Sequence, residues 1–221
     1  MRKSKENILI TRELSDDSPL WNLADENHHV IAKSFLEIIP IALHDIPVAD
    51  IYFYYSKNAA FHFVQASKNS KIDLSKSQHA AMGKGTARML SSLDLQLDFV
   101  GSDSPSIVAQ KLLEYCGDKK ICFVRAREST LSVQSKWPHE YKEAIIYDTI
   151  PKKIEIKEEI HTIIATSPKS LTAALNCTDI NVLQRIICIG PTTLSAANKL
   201  TSVNSKMALT SSEEALYQAY L

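Results

Sequence analysis

One short signature occurs twice in this chain, roughly a hundred residues apart, and a repeat at such spacing implies two similar structural halves. The first copy is the apolar run Ile51–Tyr55 ending at Ser56, followed later by Met82–Gly83–Lys84–Gly85–Thr86. The second is Ile163–Ile164–Ala165–Thr166 ending at Ser167, followed by Ile189–Gly190–Pro191–Thr192–Thr193. In each copy a strand-like run stops at a serine where a helix should begin. A second run then stops at Gly-x-x-Thr, where another helix should begin. The result is four strand-to-helix turns rich in free N–H groups, the places where open α/β sheets hold anions.

The rest of the chain fits that frame. Buried strands are expected at Ile8–Ile10, Ile51–Tyr55, Ile121–Val124, Ile160–Ala165 and Ile186–Ile189, with weaker ones at His29–Ile31, Ser77–Met82 and Leu97–Val100. Between them, apolar spacing suggests helices near Leu20–Ala24, after Ser56, over Thr86–Ser92, Ile107–Tyr115, Leu131–Trp137, Ser170–Leu175 and Thr193–Leu200. The last helix, Ser211–Tyr220, opens on a Ser–Ser–Glu–Glu capping pattern. Ile154–Glu158 fits neither pattern. Apolar strands alternating with helices specify parallel sheets covered on both faces.

Two extended, proline-marked segments, 36–41 and 146–151, bracket the middle of the chain. The expected organisation is therefore a discontinuous first α/β domain, 1–35 plus 152–221, with a second, 42–145, inserted into it. The two crossings would pair as a two-stranded linker. Both domains are expected to be parallel-sheet and flavodoxin-like.

Composition excludes several classes. Hydrophobic content of 45% and charged content of 23% belong to an ordinary globular protein. The absence of a long apolar run argues against a membrane span. The basic start leads into a short strand and not a signal peptide, so residues 1–6 read as a frayed tail and the location as cytoplasmic. A net charge of +0 argues against a nucleic-acid partner. Cys116, Cys122, Cys177 and Cys188 have no zinc spacing and read as free thiols in a reducing compartment. No metal site or cofactor motif is expected. Gly83–Lys84–Gly85–Thr86 holds only a fragment of a phosphate loop, and His28–His29 on a strand would point to opposite faces.

What remains for chemistry is a set of donors at helix starts. Ser56, Thr86, Ser167 and Thr193 stand where N-caps would stand, and plain capping would account for any one of them. Two matched pairs at the carboxyl ends of two sheets suggest a large ligand with several carboxylates or phosphates. Arg12 and Arg125, each just past a strand, could add charge. Tyr147, in the returning crossing, would be the side chain at the hinge able to donate a proton if it faces a cleft, and a packing residue otherwise.

In register along nearly the whole chain, these pieces resemble the uroporphyrinogen-III synthase family. The resemblance rests on Ile8–Leu9–Ile10–Thr11–Arg12, Tyr55–Ser56–Lys57–Asn58–Ala59, Gly83–Lys84–Gly85–Thr86–Ala87, Ile146–Tyr147–Asp148–Thr149, Thr166–Ser167–Pro168–Lys169–Ser170 and Ile189–Gly190–Pro191–Thr192–Thr193. Tyr55 departs from the family, where threonine is common, and Ala126–Thr130 replaces a glycine-containing turn.

The resemblance implies a cofactor-free, monomeric lyase with two α/β domains joined by a two-stranded ladder. It would cyclise the linear tetrapyrrole hydroxymethylbilane, inverting the terminal ring to give uroporphyrinogen III. By the same resemblance Tyr147 is the catalytic candidate. Arg12, Ser56, Lys57, Asn58, Gly83, Thr86, Arg125, Ser167, Pro168, Lys169, Ser170, Gly190, Thr192 and Thr193 are the substrate-binding candidates. The alternative reading is a non-enzymatic two-domain anion-binding protein.

Overall fold

A computed structural model describes residues 5–70, 72–101 and 104–221. The tail read as frayed lies outside these residues through Ser4, while Glu6 already opens the first strand. The chain divides into two compact units, residues 1–37 with 150–221, and residues 38–149.

The first unit holds a five-stranded sheet. In sequence order its strands are β1 (Glu6–Ile10), β2 (His28–Ala32), β9 (Thr162–Ala165), β10 (Arg185–Cys188) and β11 (Asn204–Met207). They lie in the order β2-β1-β9-β10-β11, all parallel. This is the 2-1-3-4-5 order of the flavodoxin-like sheet. Both faces are covered, so the strands are apolar throughout. Leu9, Ile163 and Ile186 pack on one side with α4 (Pro168–Leu175) and α5 (Pro191–Leu200). Ile8, Ile10, Ile164 and Ile187 pack on the other with α6 (Glu213–Tyr220). The helix expected near Leu20–Ala24 is only a 3-10 turn, Pro19–Leu23. Its residues Leu20 and Leu23 plug the second face.

The second unit carries β4 (Ile51–Tyr54), β5 (Gln78–Ala81), β6 (Phe99–Val100), β7 (Ile121–Ala126) and β8 (Lys142–Pro151). These pair in parallel in the order β6-β5-β4-β7-β8, and β3 (Leu36–Pro40) lies beyond β8. Counted along the unit the order is 3-2-1-4-5, so the two halves share their turns but not their sheet order. The segment 146–151 is the last six residues of a ten-residue strand that pairs with β7 as far as Tyr147. Helices α1 (Lys57–Asn69) and α2 (Lys84–Ser91) cover Tyr52, Tyr54 and Val124, while α3 (Pro105–Cys116) covers Ile51, Phe53 and Phe123.

The segment Leu131–Trp137, expected as a helix, forms only the 3-10 turn Gln134–Lys136. Leu131 has φ 51°, which breaks a helix at its start. The Tyr55 hydroxyl accepts the amides of Val133 (3.2 Å) and Gln134 (2.9 Å). Tyr55 thereby bonds to a segment that a threonine at that position could not reach.

Candidate functional site

In open α/β sheets a ligand settles beyond the carboxyl ends of the strands, where the strand order reverses. In the first unit that point lies between β1 and β9, and in the second between β4 and β7.

At the first reversal three segments meet. Thr11, the residue after β1, is 2% exposed, and its Oγ1 accepts the amide of Thr166 at 3.0 Å. The same oxygen lies 2.9 Å from Ser170 Oγ and 3.3 Å from Thr166 Oγ1. Ser167 caps α4, accepting the amide of Ser170 at 3.0 Å, and donates to Ser170 Oγ at 2.9 Å. Pro168 follows at the first helical position, where a missing N–H costs nothing. Ser170 is buried within this hydroxyl cluster, so it supports the turn from below. Arg12 pairs with Glu213, the first residue of α6, and Glu213 also accepts from Ser18 at 2.5 Å.

The Gly-x-x-Thr turns differ from the expectation. Thr86 and Thr193 are not N-caps. Gly83 and Gly190 occupy the cap positions of α2 and α5, with no side-chain cap bond. Thr86 and Thr193 are the third residues of their helices and are buried. A glycine cap leaves the first turn's N–H groups without a side-chain acceptor, which keeps them available to a ligand. At Gly190 an added Cβ would meet only Ser211 Oγ, at 3.6 Å, so the space above this turn is open. Thr192, beside it, is exposed.

In the second unit Ser56 caps α1, accepting the amide of Ala59 at 3.1 Å. Its Oγ also lies 2.9 Å from the hydroxyl of Tyr147 on β8. Tyr147 is 6% exposed, and its ring packs 5.9 Å from that of His62 on α1, whose imidazole burial pushes down. A bulge brings Tyr147 there. Val124 and Arg125 pair with Ala144 and Ile145, but Ala126 pairs with Tyr147, skipping Ile146. Strict alternation would put Ile146 and Tyr147 on opposite faces, whereas both join Ala144 in the core beneath α1.

Arg125 does not present its charge to a ligand. It is buried, with Nε and Nη2 on Glu143 at 3.0 and 2.9 Å and Nη1 on the carbonyls of Ala126 and Arg127. Gln134 donates to the same carboxylate. Lysines also stand at three helix starts. Lys57 and Lys84 are the first residues of α1 and α2, Lys169 is the second of α4, and no acid occupies the first turn of these helices. A cation there opposes the helix dipole by about 0.3–1 kcal/mol. The arrangement disfavours the isolated fold slightly and favours an anion. Asn58 is partly buried beside Lys57.

Sequence reasoning missed Thr11 as the hub of the first cluster, although Thr11–Arg12 follows directly on β1. It also missed His62, Glu143 and Glu213, which no local pattern connects to their partners. Among the described residues no group of three His, Cys, Asp or Glu could hold a metal, and no helix is long and apolar enough to cross a membrane.

These features define an open-sheet α/β protein whose strand ends carry amides, hydroxyls and ammonium groups, with a phenol held beside one of them. The chain belongs to the uroporphyrinogen-III synthase family: the family model described as Uroporphyrinogen-III synthase HemD matches residues 22–218. Its fold is similar to that of the uroporphyrinogen-III synthetase from Helicobacter pylori 26695, at TM-score 0.71 and 18% identity, covering 96% of this chain and 97% of that one. It is also similar to a mutant uroporphyrinogen III synthase from the extremely thermophilic bacterium Thermus thermophilus, at TM-score 0.54 and 12% identity, covering 97% of each chain. No curated protein matches the chain in sequence. Family membership makes the chain an enzyme of tetrapyrrole biosynthesis, with the family's function in the route to haem.

Proposed function

We propose that this chain is a lyase acting on hydroxymethylbilane, closing it with inversion of the terminal ring. Loss of the substrate hydroxyl leaves an azafulvene electrophile. The terminal ring attacks through its substituted carbon to give a spiro-pyrrolenine, and fragmentation with re-closure yields the inverted isomer. Left alone, the same electrophile closes to the uninverted isomer. The protein's task is therefore to hold a flexible polycarboxylate in one near-attack geometry and to keep water away.

The donors described above suit that task. The backbone amides of the turns at Ser56, Gly83, Ser167 and Gly190, with Lys57, Lys84, Lys169 and Arg12, would take the acetate and propionate groups. Tyr147 would give its proton to the departing hydroxyl. The observation that carries this reading is the pairing of a buried phenol with a helix N-cap at the carboxyl end of a sheet, in a chain of this family. Residues 1–35 with 152–221 and 42–145 would act as two domains that open and close about the crossings at 36–41 and 146–151. The enzyme would work as a cytoplasmic monomer, without cofactor or metal.

The test is direct. Purified protein is added to fresh hydroxymethylbilane, and the product is oxidised and separated into its isomers. The inverted isomer is expected to dominate. The uninverted isomer alone, at the spontaneous rate, would refute the proposal.

A further inference from the structure

We infer that Ser56 is a positioning residue for the reaction: it donates its hydroxyl hydrogen to Tyr147, so that the Tyr147 proton is left free to point at the substrate. The inference rests on the reading of Tyr147 as proton donor. It starts from an asymmetry in the hydrogen bonds. Ser56 Oγ already accepts the amide of Ala59, at 3.1 Å. A serine hydroxyl has one hydrogen and two lone pairs, so one lone pair and the hydrogen remain for its 2.9 Å contact with Tyr147. If Tyr147 donated to Ser56, its only hydrogen would be spent inside the protein. If Ser56 donates, the three groups form a one-way chain, Ala59 N–H to Ser56 O–H to Tyr147 O–H. In such a chain each donor polarises the next.

The second support is how firmly both ends are held. Ser56 sits in ordinary extended backbone, φ −152° and ψ 161°, at the start of the thirteen-residue helix α1. Tyr147 is re-aimed by the bulge opposite Arg125 and Ala126, and its ring is packed against His62. Bulges are frequent where a strand must redirect one side chain next to a reaction site.

The proton balance closes. The Tyr147 proton passes to the substrate hydroxyl, the carbon–oxygen bond breaks with its electron pair on oxygen, and water leaves. The phenolate oxygen keeps the Ser56 hydrogen bond. It recovers a proton when the pyrrole carbon attacked in the final ring closure loses its hydrogen and that pyrrole ring regains aromaticity.

The test uses Ser56→Gly, Ser56→Thr, Tyr147→Phe and the double variant Ser56→Gly/Tyr147→Phe, each assayed for kcat and KM with hydroxymethylbilane. Glycine is nearly as good an N-cap as serine, so it removes the hydroxyl with little damage to α1. Thermal unfolding checks that each variant is folded. Ser56→Gly is expected to lower kcat about tenfold, the scale of one hydrogen bond to a charged group, with KM changed less than about twofold. Ser56→Thr, which keeps the hydroxyl, is expected to restore most of kcat. In the Tyr147→Phe background, Ser56→Gly should have no further effect on kcat.

If Tyr147→Phe is slow but Ser56→Gly turns over like the parent, or the two losses multiply, the inference fails while the reading of Tyr147 stands. If Ser56→Gly mainly raises KM, Ser56 binds substrate and the inference fails. If Tyr147→Phe turns over like the parent, the reading of Tyr147 and the inference fall together.

Discussion

Thr11 gives the sharpest stability test of the first unit. Replacing it with valine keeps the shape and removes one hydroxyl. Three groups lean on that oxygen: the Thr166 amide at 3.0 Å, Ser170 Oγ at 2.9 Å and Thr166 Oγ1 at 3.3 Å. Ser170 can still donate to the Ser167 carbonyl at 3.1 Å, so its loss is small. The Thr166 amide, which is half-buried, has no such substitute in the protein, and leaving it unpaired costs toward the lower end of about 1–3 kcal/mol. With no cavity to add, the total for Thr11→Val should be about 1–3 kcal/mol. For a chain of this size that lowers Tm by about 2–12 °C. Thr11→Ser, which keeps the oxygen and loses a methyl, should cost less. Urea unfolding followed by circular dichroism measures both variants. Because the Thr166–Ser167 turn would relax, Thr11→Val should also raise KM. A Thr11→Val protein within about 0.5 kcal/mol of the parent, the range of an inconsequential surface change, would refute the reasoning, as would Thr11→Ser being the worse of the two.

Other outcomes follow from the same reading. Gly190→Val brings no clash at its Cβ, which meets only Ser211 Oγ at 3.6 Å, so Tm should fall by no more than the loss of a glycine N-cap, about 1 kcal/mol, while KM rises as the branched side chain crowds the turn above α5; a fall in Tm with KM unchanged would contradict this. His79 is buried between Tyr54, which it meets through Nδ1 at 3.2 Å, and the Leu74 carbonyl, and burial lowers it from the ordinary value of 6.5. The unfolded chain therefore binds the extra proton first, so this contribution is complete above pH 6.5 and is lost as pH falls below it. Urea midpoints at pH 7.5 and 5.5 should show a smaller acid loss in His79→Gln than in the parent. Burial pushes the thiols of Cys116, Cys122 and Cys188 up to about 11, 12 and 11, so a neutral-pH thiol reagent should label half-buried Cys177 ahead of them, and the other three only on unfolding.

Much of the fold was legible because parallel strands covered on both faces must be apolar throughout. Ile8–Leu9–Ile10 and Ile186–Ile187–Cys188 have no polar alternation to confuse with anything else. The polar β11, Asn204–Met207, was missed because an edge strand with exposed side chains carries no such pattern. Leu131–Trp137 has helical spacing but is held open by the hydroxyl of Tyr55. The serine turns were read correctly as caps, since a short polar residue between an apolar run and a helix has few other uses. Thr86 and Thr193 were misplaced by one turn because glycine, lacking a side chain, also caps helices. The charge pairs Arg12–Glu213 and Arg125–Glu143 join residues with no local relation, and the bulge that turns Tyr147 leaves no mark in the sequence.

The proposed function divides the labour: the turns would hold the substrate and decide which isomer forms, and Tyr147 would only speed departure of the hydroxyl. General acid assistance contributes about 10²–10⁴-fold, so Tyr147→Phe should lose turnover toward the lower end of that range. The measurement is the isomer ratio from Tyr147→Phe, with enough protein that its turnover outruns spontaneous closure. Tyr147→Phe is expected to be a slow enzyme whose product is still mainly the inverted isomer, uroporphyrinogen III. A variant that released mainly the uninverted isomer would contradict it and would make Tyr147 the residue that places the terminal ring.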